Sequence, residues 1–224
     1  MPTYAITLAP EKKLWDKITS IKKEACHLVG KQQYLQDQPH LTLFIGNFEE
    51  YIQFSDRIKK IISAIPKPQF EIISWHVFEK DPVTQKDTLV CNLDDKSAES
   101  LRPLQKKIIE ILLPFKKKEN FVRYAHISFK GDFKSNLEHY GYPFVGKIWK
   151  PHFGIASFDH ASFTKVWEIF KNKCPLGDFV GEVVQLYALD AEEKLTLLAS
   201  YPFGRYVRRT QEKSLQSKQR LSKT

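Results

Sequence analysis

The most constraining feature of the sequence is an order of elements that occurs twice, each time opening with the dipeptide Pro-His. Apolar alternation and helical spacing predict strand, helix, strand, strand from residue 40 to residue 93, and again from residue 151 to residue 201. The two histidines, His40 and His152, lie 112 positions apart (152 − 40). Strands that alternate with helices and then form hairpin-like pairs favour an α+β fold. We therefore predict two similar lobes, each a mainly antiparallel sheet with helices on its outer face, around a central groove.

Local patterns predict the remaining elements. Residues 4–8 alternate as a strand does, and residues 12–29 place apolar side chains at helical spacing. The other predicted helices cover residues 48–65, 97–113 and 161–172, and the other predicted strands cover residues 69–78, 88–93, 179–189 and 195–201. The stretch 115–149 fits neither period throughout. Within it, residues 123–129 alternate briefly and predict a short strand, and residues 140–149 predict an aromatic, glycine-rich loop.

Charge is distributed unevenly along the chain. The formal net charge is +9, and the last twenty residues, 205–224, carry +6 of it, with seven Lys or Arg against Glu212. This segment has few core-forming residues, so we predict a disordered basic tail after one two-lobed domain at residues 1–204. The tail could contact nucleic-acid phosphates or only keep the chain soluble, and the sequence leaves both readings open.

Composition excludes several other classes of protein. No apolar run approaches 18 residues, which predicts that the chain has no membrane span, and the N-terminus lacks the basic region of a signal peptide. Three cysteines without C-x-x-C spacing argue against a disulfide framework and against a cysteine zinc site. We predict a reduced, cytoplasmic, monomeric protein that uses no metal and no cofactor.

A histidine and a hydroxyl residue two positions apart on a strand face the same side of the sheet. His40 and Thr42 form such a pair, which can transfer a proton and hydrogen-bond a phosphate oxygen at the same time. The pattern occurs again at His126 and Ser128. A third occurrence begins at His160, near a predicted helix start, where a role in the cap region is favoured.

The two Pro-His strands resemble the paired motifs of the two-histidine (2H) phosphoesterase superfamily, whose best-known branch is the 2'-5' RNA ligase / RNA 2',3'-cyclic phosphodiesterase group. Residues 38–43 read Gln-Pro-His-Leu-Thr-Leu, and residues 149–156 read Trp-Lys-Pro-His-Phe-Gly-Ile-Ala. The resemblance spans roughly residues 3–203. It implies that His40 and His152 act as general acid and base on RNA or nucleotide phosphodiesters, without a metal, while Thr42 holds a phosphate oxygen. It leaves open which histidine is the acid.

The second strand departs from the family pattern, because Gly154 stands where the family usually has Thr or Ser. Losing one hydroxyl donor to the phosphate can cost on the order of 10²–10³ in rate. Lys150, Arg123 or Lys130 could supply the missing positive charge, or the glycine could make room for a bulkier substrate. The site could also be degenerate, leaving an RNA- or nucleotide-binding protein. We predict Thr42, Gly154 and Lys150 as the phosphate-binding positions.

Two assignments near the second motif have alternatives. His126 and Ser128 could form the true second motif, but they lack the Trp-x-Pro lead-in and the following helix and strand pair, so they rank below His152. Aromatic residues crowd the segment before that motif. Tyr142 and Trp149 could stack on a base, or they could pack the loop onto its lobe, and the sequence favours neither.

Overall fold

The computed structural model describes residues 3–117, 122–190 and 192–204, so the predicted basic tail at 205–224 lies outside the described residues. Within these ranges the chain forms seven strands and five α-helices. The strands are β1 (Thr3–Pro10), β2 (Leu41–Asn47), β3 (Gln69–Phe78), β4 (Asp87–Leu93), β5 (His152–Phe158), β6 (Gly177–Leu189) and β7 (Leu195–Pro202). The helices are α1 (Lys12–Val29), α2 (Ile52–Ile62), α3 (Asp95–Leu112), α4 (Gly131–Tyr140) and α5 (His160–Phe170).

The strands form one antiparallel sheet in the order β1-β2-β5-β4-β3-β6-β7, with a further pairing between β1 and β6. β6 is shared, because residues 177–180 pair with β3 and residues 181–189 pair with β1. We call β1, β2, β7 and the C-terminal part of β6 the first half-sheet, and β3, β4, β5 and the N-terminal part of β6 the second. The predicted α+β class with two lobes is confirmed, but each half-sheet draws strands from both copies of the sequence repeat.

The half-sheets meet at the starts of β2 and β5. These strands pair at a single position, Leu41 with Phe153, and diverge beyond it. Both residues are fully buried, so alternation turns the side chains of His40 and His152 to the opposite face of the sheet. The two Pro-His dipeptides therefore place their histidines at the same junction between the half-sheets.

Helices α1, α2, α3 and α5 cover the other face of the sheet, whereas α4 contributes Phe133 to the groove side. α1 packs on α5 and contacts β1 and β5, whereas α2 packs on α3, which contacts β2 and β3. Asp94 and Asp159 cap α3 and α5, accepting hydrogen bonds from Ser97 N and Ser162 N at 2.9 Å each. His160 is the first residue of α5, as its predicted place in the cap region requires. No helix in the described part of the chain is long and apolar enough to cross a bilayer.

Two local predictions were wrong, and one helix was missed. The helix predicted from residue 48 begins at Ile52, because Phe48 is buried and forms an isolated bridge with Lys116. The strand predicted at 123–129 is a 3-10 turn (Val122–Tyr124) followed by irregular chain, whose aromatic residues pack on one another instead of pairing in a ladder. The helix α4 was not predicted, although Gly141 ends it in the left-handed conformation (φ 76°) and marks its C-terminus in the sequence.

Candidate functional site

A cavity of about 690 Å³, which we call the groove, lies at the junction of the half-sheets. His40 and Thr42 from β2 and its lead-in line it, as do His152 and Gly154 from β5. Segment 122–149 covers part of it with aromatic and apolar side chains. The sequence motifs thus converge on one concave, largely apolar site, which is the usual setting of a ligand pocket.

Both groove histidines are held in the same way. His40 Nδ1 lies 2.8 Å from the carbonyl oxygen of Gln38, and His152 Nδ1 lies 2.7 Å from the carbonyl oxygen of Lys150. A carbonyl can only accept, so Nδ1 carries the proton in each ring. Nε2 makes no hydrogen bond to any part of the chain that the structure describes. Each neutral imidazole therefore offers a basic Nε2, the arrangement that proton transfer to or from a substrate requires.

The charges around the two histidines differ. Burial lowers the pKa of His40 to about 4; the Gln38 carbonyl opposes this shift, and the positive charge of Lys22 adds to it. Burial also lowers the pKa of His152, but the Lys150 carbonyl and the carboxylate of Asp81 oppose the shift. A cation beside one imidazole and an anion beside the other push their pKa values in opposite directions.

The predicted phosphate-binding residues all line the groove. Thr42 is half-buried, and its hydroxyl makes no hydrogen bond to the described residues. Lys150 is exposed at the rim. A Cβ built on Gly154 would meet nothing within 4 Å, so the glycine leaves open space beside His152. These positions can surround an anion between the two imidazoles, although which of them bind phosphate stays a prediction.

The two aromatic residues predicted for stacking are mostly covered by protein. Trp149 is 3% exposed, and its indole N–H donates to the main-chain oxygen of Thr42 at 3.2 Å. Tyr142 is 5% exposed and lies against Phe44 with ring centroids 5.1 Å apart. Both residues belong to the hydrophobic core, and packing is their observed role. A stacking role stays a prediction for the small surfaces that reach the groove.

The alternative second motif is split by the structure. Ser128 lines the groove, but His126 is exposed and does not line it. The two residues lie in irregular chain and not on a strand, so the spacing of two positions does not bring them to one face. The structure brings His152, but not His126, into the same groove as His40.

A comparison with protein families assigns the chain. A sequence model described as the 2'-5' RNA ligase superfamily matches residues 10–193, which include both groove histidines. The chain belongs to the 2'-5' RNA ligase superfamily. The resemblance to the 2H phosphoesterase superfamily inferred from the two Pro-His strands is therefore confirmed.

Solved structures have the same fold at low sequence identity. TT0787 of Thermus thermophilus aligns with a TM-score of 0.54 and 12% identity, covering 92% of this chain and 100% of that one. Escherichia coli LigT in complex with NADP+ aligns with a TM-score of 0.50 and 10% identity, covering 91% and 98%. No curated protein matches the sequence. The fold is therefore shared, whereas the roles of individual side chains in this site depend on this chain's own residues.

A group of charged residues borders the groove, of which the sequence analysis had singled out Arg123 alone. Lys22 of α1 is only 6% exposed and donates to the main-chain oxygen of Tyr34 at 2.7 Å. Burial lowers its pKa to about 8, although Asp37 opposes the shift. The guanidinium of Arg123 is paired with the carboxylate of Glu193 and also donates to the Tyr34 hydroxyl. Because Arg123 is already paired, it is a poor replacement for the missing hydroxyl at Gly154.

The sequence alone could have indicated one of these residues, Lys22, as unusual. Lys22 falls among Ile18, Ile21 and Ala25 on the buried stripe of α1, where a lysine is out of place unless it has a partner. Arg123 and Glu193 carry no such signal, because they are 70 positions apart and join only through the fold. Among the described residues, no group of three or more His, Cys, Asp or Glu is placed to hold a metal ion.

Proposed function

We propose that the chain is a phosphodiesterase acting on RNA ends or on nucleotide 2',3'-cyclic or 2'-5' phosphodiesters, with His40 and His152 as the catalytic pair. The observation that carries this proposal is the matched anchoring of the two rings. Each Nδ1 is bound to a carbonyl two residues earlier, and each ring lines the same groove. A substrate phosphate seated between them has a proton acceptor on one side and a proton donor on the other.

For a 2',3'-cyclic phosphate the chemistry needs one proton taken and one given. The Nε2 of the base removes a proton from water as the water oxygen forms a bond to phosphorus. The bond from phosphorus to one ribose oxygen breaks, and the Nε2–H of the acid protonates that oxygen. The product is a phosphomonoester, and the two histidines have exchanged protonation states. Thr42 is positioned to donate a hydrogen bond to a non-bridging oxygen.

We base the proposed roles in hydrolysis on the surrounding charges. His40 lies near the cation of Lys22, which disfavours the imidazolium, so His40 begins the reaction neutral and acts as the base. The carboxylate of Asp81 favours the imidazolium of His152, although burial lowers the pKa of this ring overall, so we assign His152 as the acid that reacts from its protonated form. The direction of proton transfer then follows from fixed charges on different elements, α1 and the turn between β3 and β4.

The pH dependence of kcat/KM reports the pKa values of both histidines in the free enzyme. Activity needs neutral His40, so it is lost as pH falls through the pKa of that group, about 4. It also needs protonated His152, so it falls as pH rises through a pKa that burial holds below the ordinary value of 6.5. We expect a bell-shaped profile whose maximum lies on the acid side of pH 6.5.

The variant Asp81→Asn tests which limb belongs to which histidine. It removes the charge that favours protonated His152, while the amide oxygen can still accept from Val83 N and the amide NH2 can donate to Thr88 Oγ1. The descending limb should move to lower pH and the ascending limb should stay in place. Movement of the ascending limb alone would mean that the lower of the two pKa values belongs to His152 and not to His40.

The open space at Gly154 makes a second test possible. Gly154→Thr should fold normally, because its Cβ meets no atom within 4 Å, and its hydroxyl enters the groove two positions after His152. If a phosphate donor is missing there, kcat on simple cyclic phosphates should rise roughly 10-fold or more. Gly154→Val is the matched control, since it has the same branched shape without the hydroxyl. Equal rates in the two variants would show that the hydroxyl is irrelevant.

Gly154 also favours one alternative function, a nucleotide- or RNA-binding protein that retains the groove without turnover. This alternative predicts normal binding of cyclic nucleotides, measured by calorimetry, with no product after long incubation. His40→Ala would then change affinity only modestly. Any turnover that depends on both histidines contradicts this alternative.

A further inference from the structure

A line of hydrogen bonds connects the floor of the first half-sheet to His40. Tyr187 of β6 is 3% exposed, and its hydroxyl oxygen lies 3.0 Å from Gln185 Oε1 and 3.3 Å from Gln38 Oε1. The main-chain oxygen of Gln38 is the acceptor for His40 Nδ1. The residue that fixes the protonated nitrogen of His40 is therefore itself held by a buried tyrosine.

The two ends of this line differ in how firmly the backbone holds them. Tyr187 lies in the shared strand β6 and is paired with Ala5 on one edge and Leu197 on the other. Gln38 lies between α1 and β2 in a segment without a strand ladder, and it is exposed. The direction of the Gln38 carbonyl is therefore set by the following Pro39, which is buried, together with side-chain contacts. Within the described part of the chain, the phenol of Tyr187 is the hydrogen-bond partner of the Gln38 amide.

The chemistry of the two contacts is consistent with a tether. A phenol has one proton, so Tyr187 can donate to only one of the two amide oxygens. Gln185 Oε1 is the nearer acceptor and is buried. Turning the Gln38 amide by 180° brings its NH2 to the phenol oxygen, which still has lone pairs to accept from it. Both contacts are then satisfied at once.

We propose that Tyr187 is a positioning residue for His40, which holds Gln38 so that the ring keeps its proton on Nδ1 and presents Nε2 to the groove. Its catalytic consequence rests on the proposed function, but its effect on the tautomer does not. His152 has a counterpart arrangement. Trp149, next to Lys150, is fixed by its bond to the Thr42 carbonyl, and Lys150 supplies the acceptor for His152 Nδ1.

The tautomer of His40 is the direct readout. Nitrogen-15 chemical shifts of histidine-labelled protein at pH 7.5, assigned with His40→Ala, distinguish a proton on Nδ1 from a proton on Nε2. The wild type should show His40 with the proton on Nδ1 only. Tyr187→Phe should add a measurable Nε2–H population at His40 and none at His152. Gln38→Ala, at an exposed position, should do the same and decides the question if Tyr187→Phe does not fold.

Kinetics provide the second readout. With Nε2 no longer always basic, kcat for cyclic phosphate hydrolysis should fall about 10-fold in Tyr187→Phe, while KM stays close to the wild-type value. The double variant with Gln38→Ala should be no slower than the slower single variant, because both remove the same tether. Additive losses would overturn the proposal.

Tyr201→Phe is the matched control. Tyr201 is also a buried tyrosine of the first half-sheet, with a hydroxyl 2.8 Å from Ser55 Oγ and outside the groove lining. It should lose stability without any change in the His40 tautomer. An unchanged tautomer in both Tyr187→Phe and Gln38→Ala overturns the positioning role. A tautomer shift in a protein whose His40→Ala variant retains wild-type turnover would instead reject the proposed function and leave the tether intact.

Discussion

Replacing either groove histidine with alanine is expected to lower kcat for cyclic phosphate hydrolysis by about 10²–10⁴-fold, because each ring carries one of the two proton transfers. The double variant His40→Ala/His152→Ala should be little slower than the slower single variant. The two histidines act as a unit, so when one proton transfer is lost the remaining histidine accelerates the reaction little, and removing it as well costs little more. The measurement is single-turnover hydrolysis of a nucleoside 2',3'-cyclic phosphate, which separates chemistry from product release.

The control for both histidine variants is His126→Ala. His126 is exposed, does not line the groove, and belongs to the alternative motif. Its replacement should leave kcat unchanged. Circular dichroism and melting temperature should show that all four variants are folded. Wild-type turnover in His40→Ala or in His152→Ala would remove that residue from the catalytic pair, and a large loss in His126→Ala would revive the alternative motif.

The second large effect is expected on stability. Trp149→Ala removes an indole that is 3% exposed and belongs to the core, so the loss of packing should cost about 3–5 kcal/mol in the free energy of unfolding. It also removes the donor to the Thr42 carbonyl, which ties segment 122–149 to β2. For a chain of this size the melting temperature should fall by roughly 10 °C. Denaturant titration with the wild type in parallel gives the free energy.

Trp149→Phe separates packing from the hydrogen bond. It keeps most of the buried ring and removes the N–H donor, so we expect a smaller loss of about 1–3 kcal/mol from the unpaired carbonyl and the lost ring volume. A change below about 1 kcal/mol in Trp149→Ala would show that the residue is not a core residue. Base stacking would then explain the role of Trp149 better than core packing does.

Much of the element order could be predicted because periodicity is a local property. The helix predicted at residues 12–29 is observed at Lys12–Val29, and the strand predicted at residues 69–78 is observed at Gln69–Phe78. Pairing partners are not local. Nothing in the alternation of β6 indicates that one strand serves β3 with residues 177–180 and β1 with residues 181–189. The repeat therefore predicted two lobes but not which strands build each lobe.

The candidate site likewise has a part that could be predicted from the sequence and a part that could not. The Pro-His repeat, together with the family resemblance that it carries, predicted that His40 and His152 share a groove. The charges that distinguish the two rings come from α1 and from the β3–β4 turn, and no spacing in the sequence relates Lys22 or Asp81 to either histidine. The loop predicted at 140–149 is observed, but the structure of residues 122–140 was beyond prediction, since their aromatic residues pack on one another and on the loop without a fixed period.

The most direct test of the central claim is hydrolysis of a nucleoside 2',3'-cyclic phosphate and a 2'-5'-linked dinucleotide by the purified protein in EDTA. We expect turnover of at least one of them, since the proposed chemistry uses two imidazoles and no metal, and we expect it to disappear in His40→Ala and in His152→Ala. The isomer of the phosphomonoester product identifies which ester bond breaks. Turnover that EDTA abolishes, or that persists without His40, would contradict the two-histidine account.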